Sequence, residues 1–350
     1  MECLLAVAGP RPALAGLAAR AADVAPLRVL ELARSFAVSE TCAHALLAAD
    51  ALGRLGAAGA ALRGDAENAA AKNTLLVAEA VRLQRALEEA RIPSVALKGT
   101  ALVAAHYPAI GARHVGDLDL LVPPADAARA AEVLQAAGCA SDPYALPALD
   151  GRPAAPRPGH HHLAPLRTQG GISCELHVAV PGVRGRRADA EDVLARSVEV
   201  RWRGSALRVP SLDDLLGIAC THVLGAHRAE PRFVPRHVAD VAVLIAAGAD
   251  PGRAERLHPG PEVAESLALV AAARAGHAPM PGRAASVSAR ARSVAAAMAE
   301  ARRGGELLRL FFPARPYLAA RYRVAERSPW LPVLWAWRPL RAALRLVVGR

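Results

Sequence analysis

Two carboxylates that lie two residues apart at the start of an apolar run constrain this chain more than any other feature. Asp117 and Asp119 alternate with leucines in the segment Asp117–Val122. On a β-strand, residues i and i+2 point to the same face, so we expect these carboxylates side by side. Neighbouring anions repel unless a cation lies between them, and Mg²⁺ suits such a site. The alternative is an exposed strand edge with solvated aspartates.

A second polar strand face follows later in the chain. In the segment Gly171–Val178, apolar residues alternate with Ser173, Glu175 and His177, which predicts a half-buried strand. A third carboxylate close to the first two would complete a two-metal site, in which ions about 3.5–4 Å apart share oxygen ligands. The alternative is that Glu175 and His177 are solvated on an outer face.

A lysine precedes the first aspartate in a chain that hardly uses lysine. Of 43 basic residues, only Lys72 and Lys98 are lysines, so Lys98 beside Gly99 favours a need for a compact point charge. The alternative is that this lysine is a chance survivor. The segment Ser94–Leu97 predicts a strand, and a helix is expected after Lys98-Gly99-Thr100. Strand, glycine turn and helix together favour phosphate binding at the helix N-terminus. The upstream glycine of a P-loop is missing.

Histidines and one further aspartate are the remaining candidates for site chemistry. Among His160, His161 and His162, we expect at least one to face the cleft, because adjacent strand residues cannot all face one ion. His222 is interpreted as a core or cleft histidine. Asp240 lies among apolar residues, which predicts a buried carboxylate with a partner, in a structural or a substrate-facing role.

Helices are expected to dominate the two ends of the chain. Alanine, leucine, arginine and glutamate are strong helix formers, and aromatic residues make up only 3 % of the 350 residues. We predict an N-terminal helical region over residues 1–90, with its best helix at Asn68–Arg91 and breaks that include Gly64-Asp65. A core with strands follows over 91–210, and a C-terminal helical region over 211–350.

The net charge and the cysteine spacing indicate the kind of binding partner and the cellular compartment. The net charge of +11 favours an anionic partner, although the excess of arginine over lysine resembles a coding bias. Five scattered cysteines without zinc or redox spacing favour a reducing compartment. No signal peptide and no integral membrane span is recognised, so we expect a soluble cytoplasmic protein.

The C-terminal tail, Trp330–Arg350, has a composition of its own. It contains three of the four tryptophans and four arginines. Basic amphipathic segments with tryptophan bind anionic membranes at the surface, which makes peripheral membrane contact one hypothesis. The other is a C-terminal helix that docks on the protein, with arginine stems covering apolar surface.

These motifs, in this order, resemble the bacterial "uncharacterised nucleotidyltransferase" family of the DNA polymerase beta-like nucleotidyltransferase superfamily. The resemblance runs from about residue 72 to 240. It is carried by Leu97-Lys98-Gly99, Ala101-Leu102, Tyr107-Pro108, Arg113 before Gly116, the run Asp117–Val122, His161-His162, Glu175-Leu176-His177, His222 and Asp240.

The resemblance implies an α+β fold, with a small mixed β-sheet nucleotidyltransferase core flanked by N-terminal and C-terminal helical regions. It implies Asp117, Asp119 and Glu175 as catalytic carboxylates that hold two Mg²⁺ ions. It also implies nucleotide binding, of ATP or another NTP, and substrate-facing polar groups. The implied nucleotide contacts are Lys98, Gly99, Thr100 and Arg113, and the substrate-facing candidates are His161, His162, His177, His222 and Asp240. The usual Gly-Ser turn of the superfamily is replaced here by Lys98-Gly99-Thr100.

The resulting hypothesis is a metal-dependent transferase that moves a nucleoside monophosphate from an NTP to an acceptor. The acceptor is a small molecule, a peptide, a protein or an RNA end, and the sequence does not select among them. One alternative is a non-catalytic nucleotide- or partner-binding module on the same fold. The other is a membrane-surface protein built around the tail.

Overall fold

A small mixed sheet with helices packed around it forms the centre of the protein. The computed structural model describes residues 25–141, 161–180, 189–222 and 235–274, with short pieces between 315 and 337. The helices are α1 (Pro26–Ser35), α2 (Ser39–Ala48), α3 (Gly56–Glu89), α4 (Lys98–Ala105), α5 (Ala127–Ala136), α6 (Ala190–Ala195), α7 (Leu212–Thr221), α8 (Pro235–Ala246), α9 (Pro251–Leu257) and α10 (Glu262–Arg274). The strands are β1 (Val95–Ala96), β2 (Leu118–Leu121), β3 (Ala140–Ser141), β4 (Leu166–Arg167), β5 (Ser173–His177), β6 (Val198–Trp202) and β7 (Ser205–Val209). The predicted α+β class is confirmed.

The main sheet places β2 and β5 side by side. Its strand order is β1-β2-β5-β4-β3; β2 is antiparallel to β1 and parallel to β5. Leu118, Leu120 and Leu176 are fully buried, so the apolar run of each strand enters the core as the sequence predicts. In the register of the parallel pair, Asp119 lies opposite Glu175. The sheet therefore brings together two carboxylates that are far apart in the sequence.

A separate two-stranded hairpin lies outside the main sheet. Strands β6 and β7 pair antiparallel, with Trp202 opposite Ser205. The two residues between them, Arg203 and Gly204, both have positive φ, of 48° and 84°. Such a turn matches the twist of a two-stranded hairpin, which explains why the chain reverses there.

Helix α3 is longer than the sequence predicts. It spans 34 residues and continues through the expected break at Gly64-Asp65. Tertiary packing overrides the local glycine signals, because α3 buries Leu62 in an N-terminal hydrophobic cluster and Leu76 and Leu83 in the main one. At Gly59 a side chain would collide with the Leu52 carbonyl, so the helix packs closely there. The division of the chain at residues 90 and 210 stays a prediction.

A buried carboxylate anchors the C-terminal helices. Asp214, which is fully buried in the first turn of α7, accepts hydrogen bonds from Arg196, from Ser211 Oγ at 2.6 Å and from His258 Nε2 at 3.0 Å. Burial alone would raise the pKa of Asp214, but hydrogen bonds from His258, Arg196 and Ser211 outweigh it and hold the pKa well below its usual range. At Gly217 a Cβ would collide with the His258 ring, so this contact depends on glycine.

This pKa shift predicts a loss of stability in acid. Because the folded-state pKa of Asp214 lies below its unfolded value of about 3.9, its contribution is fully present above that value and is lost as pH falls below it. We expect the urea midpoint to fall between pH 5 and pH 3, measured by circular dichroism at about half-unit steps. In Asp214→Asn the fall should be shallower. An equally steep fall in that variant would assign the acid sensitivity to other groups.

The tail is described only in part. A short helix spans residues 331–337, and Leu331 and Leu334 pack with Leu318. Trp330 and Trp337 are 64 % and 45 % exposed. Residues 338–350 and His160 lie outside the described residues. Within the described part of the chain, no helix has both the length and the apolar character that crossing a bilayer requires.

Candidate functional site

A charged cluster forms where β1, β2 and β5 meet. Strand β1 leads into Lys98, and the Leu97 amide donates to the Asp119 carbonyl, at 2.9 Å, so the two strand ends are joined. Asp119 lies opposite Glu175, and His177 lies two residues after Glu175. Opposite residues of paired strands, and residues i and i+2 of one strand, share a face of the sheet. Lys98, Asp119, Glu175 and His177 make up what we call the carboxylate cluster.

The distances within the carboxylate cluster are short. Lys98 Nζ donates to Asp119 Oδ1, at 2.8 Å, and His177 Nε2 donates to the same oxygen, at 2.7 Å. Lys98 Nζ also lies 3.5 Å from His177 Nε2, and Glu175 Oε2 lies 3.5 Å from that nitrogen. His177 and Asp119 are buried, whereas the Glu175 side chain is 23 % exposed. The cluster is therefore a tight group that reaches solvent through Glu175.

The contacts within the cluster stabilise the charged forms of Asp119, Glu175 and Lys98. Burial would raise the pKa of Asp119, but Lys98 and the hydrogen bond from His177 hold it well below the usual range. The hydrogen bond from His177 also lowers the pKa of Glu175. Burial would lower the pKa of Lys98, and the charge of Asp119 raises it instead. Asp119 and Glu175 are thus ionised, and Lys98 is charged, at neutral pH.

Asp117 lies just before β2 and is half-buried. Burial, and then the charge of Asp119, raise its pKa, so its carboxylate is close enough to interact with the cluster. The residues whose ligand atoms lie within 4.8 Å of one another are Asp119, Glu175 and His177. The role of Asp117 as a metal ligand stays a prediction, and the tightest group contains His177 in its place.

Two histidines flank the cluster. The ring centroids of His161 and His162 lie 5.3 Å and 5.5 Å from that of His177. Burial, and then the nearby charge of His177, lower the pKa of His161 to about 3, so it is neutral at physiological pH. His162 forms an isolated bridge with His177, which ties this segment to β5. Both histidines therefore lie beside the predicted site.

The predicted phosphate-binding turn is the first turn of α4. Lys98 has a left-handed φ of 47° at the start of this helix. Gly99 and Thr100 are buried, and among the described residues the Thr100 hydroxyl has no hydrogen-bond partner. At Gly99 a Cβ would collide with Arg113 Nη1, which explains the glycine. Their phosphate contacts stay predictions.

Arg113 forms a bidentate ion pair with a buried carboxylate. Its Nε and Nη2 donate to the two oxygens of Asp240, at 2.7 and 2.8 Å, and the Tyr107 hydroxyl donates to the same carboxylate, at 2.6 Å. Arg113 and Asp240 are 5 % and 2 % exposed. We call Tyr107, Arg113 and Asp240 the arginine cluster. Asp240 is buried and partnered, as predicted, whereas the predicted phosphate contact of Arg113 is untested.

His222 packs against a histidine of α8. It follows the last residue of α7, and its ring packs edge-on against His237, with centroids 4.7 Å apart. His237 Nδ1 lies 3.4 Å from Asp240 Oδ2. The structure therefore brings His222 toward the arginine cluster, and its substrate-facing role stays a prediction.

The residues fit a divalent metal ion. Asp119, Glu175 and His177 offer two carboxylates and one imidazole nitrogen within 4.8 Å, and the cluster already holds one cation, the Lys98 ammonium. Oxygen ligands suit Mg²⁺, and an imidazole is also compatible with Mn²⁺. The donor set is therefore appropriate for the metal that the sequence predicts.

Comparison with known families identifies the chain. The family model described as "Uncharacterised nucleotidyltransferase" matches residues 23–270. The chain belongs to this family. The match includes both strands of the carboxylate cluster and all of the arginine cluster, so the two groups of residues lie within the nucleotidyltransferase region.

Other comparisons add little. Among solved structures, an antigenic nucleotidyltransferase-like protein from Paracoccidioides brasiliensis matches at 15 % sequence identity, over 60 % of this chain and 95 % of that chain, with a TM-score of 0.36. No curated protein matches.

Sequence reasoning missed two features of the site. The sequence predicts His177 as substrate-facing, whereas the structure places it in the group of side chains that could hold a metal ion; its position two residues after Glu175 was a sufficient signal. Sequence reasoning also did not connect Tyr107 with Asp240, because a contact across 133 residues leaves no local pattern.

Proposed function

We propose that this protein is a metal-dependent nucleotidyltransferase that moves a nucleoside monophosphate from an NTP to an acceptor hydroxyl. The observation that carries the proposal is the meeting of Asp119, Glu175 and His177 on neighbouring strands of a nucleotidyltransferase family member. In the reaction, the acceptor oxygen bonds to the α-phosphorus, the bond to the bridging oxygen breaks, pyrophosphate leaves, and the acceptor proton passes to water.

In this proposal the cluster residues hold the metal and orient the triphosphate. Bound Mg²⁺ would supply charge stabilisation of the transferring phosphoryl group. Asp119 and Glu175 would be its ligands, and Asp117 would complete a two-ion site. Lys98 neutralises charge on the triphosphate, and the backbone of the Lys98-Gly99-Thr100 turn lies at the positive end of α4.

The arginine cluster has a supporting role. Arg113 lies against Gly99 and is clamped by Asp240 of α8, so it fixes the turn that begins α4. Asn73 of α3 donates to the Arg113 carbonyl at 2.7 Å and holds the same loop from the other side. We propose that Arg113 acts on the nucleotide through this turn. A phosphate contact by its Nη1, which also donates to the His114 carbonyl at 3.1 Å, is a further hypothesis.

Metal-dependent label transfer tests the function. We expect purified protein with Mg²⁺, each α-labelled NTP in turn and cell extract to give a labelled acceptor, and EDTA to abolish the transfer because the cluster then lacks its divalent ion. Extract without the protein is the control. Absence of transfer with all NTPs and both Mg²⁺ and Mn²⁺ would contradict the catalytic proposal. If NTP binding in that case required metal, the non-catalytic binding module would be supported.

The exposed tail tryptophans support a second, peripheral property. Trp330, Val333 and Trp337 are each at least 45 % exposed, and arginines follow them in the sequence. Tryptophan and arginine suit the interface of an anionic bilayer. We expect co-sedimentation with phosphatidylserine vesicles to fall at least about fivefold on truncation after Ser328, with neutral phosphatidylcholine vesicles as the control. Equal binding by the truncated chain would exclude this role of the tail.

A further inference from the structure

Lys98 occupies the position in the carboxylate cluster that a metal ion would need. Its ammonium bonds Asp119 Oδ1 at 2.8 Å and lies 3.5 Å from His177 Nε2, so it contacts two of the three potential ligands. The Lys98 side chain is only 15 % exposed. The cluster therefore contains its own cation, attached to the protein by a flexible four-carbon stem.

The two cations compete for one oxygen. Asp119 Oδ1 already accepts from both Lys98 and His177. A divalent ion that used this oxygen would be placed within a few ångströms of the ammonium, and like charges at about 4 Å repel by several kcal/mol at a partly buried site. Both cations are therefore not expected to remain on Asp119.

Lys98 also has an unusual backbone conformation. A lysine with φ of 47° is in the left-handed region, which costs on the order of 1 kcal/mol for a residue with a side chain. Such strain persists where the surroundings impose it, and it is concentrated at functional sites. Here the surroundings are the end of β1, the first turn of α4 and the ion pair with Asp119. The Lys98 side chain thus lies in the cluster, while its backbone is the first residue of α4.

We propose that the Lys98 ammonium is a tethered counter-ion, which leaves Asp119 when a divalent ion binds and then contacts the triphosphate of the nucleotide. The first step depends only on the cluster, and the second rests on the proposed function. Metal binding would make the lysine charge available to the nucleotide, so that the two ligands bind cooperatively. Their order of binding would be metal before full engagement of the phosphates.

The scarcity of lysine makes the displacement directly observable. Protein labelled with ¹³C and ¹⁵N in lysine alone gives side-chain signals from Lys72 and Lys98 only, and Lys72→Arg assigns them. We expect Mg²⁺ to move the Lys98 Cε signal toward that of the exposed Lys72, whose own signal stays unchanged. A non-hydrolysable NTP should then shift the Lys98 signal a second time.

The NMR outcomes distinguish a failure of the Lys98 displacement from a failure of the proposed nucleotidyl transfer. An unchanged Lys98 signal at a Mg²⁺ concentration that calorimetry shows to be saturating would overturn the displacement, as would the absence of Mg²⁺ and Mn²⁺ binding. A shift with Mg²⁺ but none with the nucleotide would overturn the phosphate step and count against nucleotidyl transfer, while the displacement stands.

A second measurement uses metal affinity. We expect Lys98→Met to bind Mn²⁺ at least about tenfold more tightly than wild type in the absence of nucleotide, measured by electron paramagnetic resonance, because the competing charge is gone. The same variant should bind the NTP at least about tenfold more weakly. Lys72→Met removes one charge that is not part of the carboxylate cluster and should leave both affinities within about twofold. Unchanged Mn²⁺ affinity in a folded Lys98→Met protein would overturn the proposal.

Discussion

Replacing Asp119 with asparagine should lower the rate of nucleotidyl transfer on the order of 10³-fold. Asp119 is the central member of the carboxylate cluster, since its Oδ1 accepts from both Lys98 and His177 and lies in the group of side chains that could hold a metal ion. Asparagine has nearly the same shape but no charge, so it weakens metal binding and leaves the Lys98 ammonium without its carboxylate. Initial rates of label transfer at saturating NTP and Mg²⁺ measure the effect.

A matched variant separates chemistry from folding. Asp192→Asn makes the same substitution at an exposed position in α6 and should leave the rate within about twofold. Thermal unfolding of both variants shows whether they are folded at the assay temperature. If folded Asp119→Asn retained more than a tenth of the wild-type rate, Asp119 would not be a catalytic metal ligand.

Breaking the arginine cluster should cost about 3–5 kcal/mol of unfolding free energy. Arg113→Met leaves the Asp240 carboxylate buried without its bidentate partner, beside the Tyr107 hydroxyl and the His237 ring and with the charge of Arg236 nearby. Asp240→Leu leaves a buried guanidinium without its anion. The double variant Arg113→Met/Asp240→Leu removes both charges and should be more stable than either single variant. Urea unfolding followed by circular dichroism gives all three values.

An exposed ion pair supplies the control. Arg85 Nε contacts Glu89 at 3.1 Å, with side chains 79 % and 69 % exposed, so Arg85→Met should change the unfolding free energy by less than about 1 kcal/mol. If Arg113→Met were as mild as Arg85→Met, the contact between α8 and the loop before β2 would not contribute to stability.

The parts of the site that follow from strand periodicity were predictable. Alternation in Asp117–Val122 predicts a strand and alternation in Gly171–Val178 predicts a half-buried strand. Both strands are present as β2 and β5, and all four residues of β2 are buried. The same alternation places Glu175 and His177 on one face. The helix after the Lys98 turn was also recognisable, although it begins at Lys98 itself.

The parts that depend on contacts between distant segments were not predictable. No local pattern states that β5 is the parallel neighbour of β2, and only this pairing puts Asp119 opposite Glu175. The bond from Lys98 to Asp119 crosses 21 residues and that from Arg113 to Asp240 crosses 127. The continuation of α3 through Gly64 likewise reflects packing, since local propensity alone favours a break there.

Helix α3 has a consequence for how the protein unfolds. At 34 residues it is about 51 Å long, and it supplies Leu62 to the N-terminal hydrophobic cluster and Leu76 to the main one. One continuous helix thus forms part of both hydrophobic clusters. The N-terminal helices and the core are therefore expected to melt in a single cooperative transition, with amide hydrogens at both ends of α3 exchanging at similar rates.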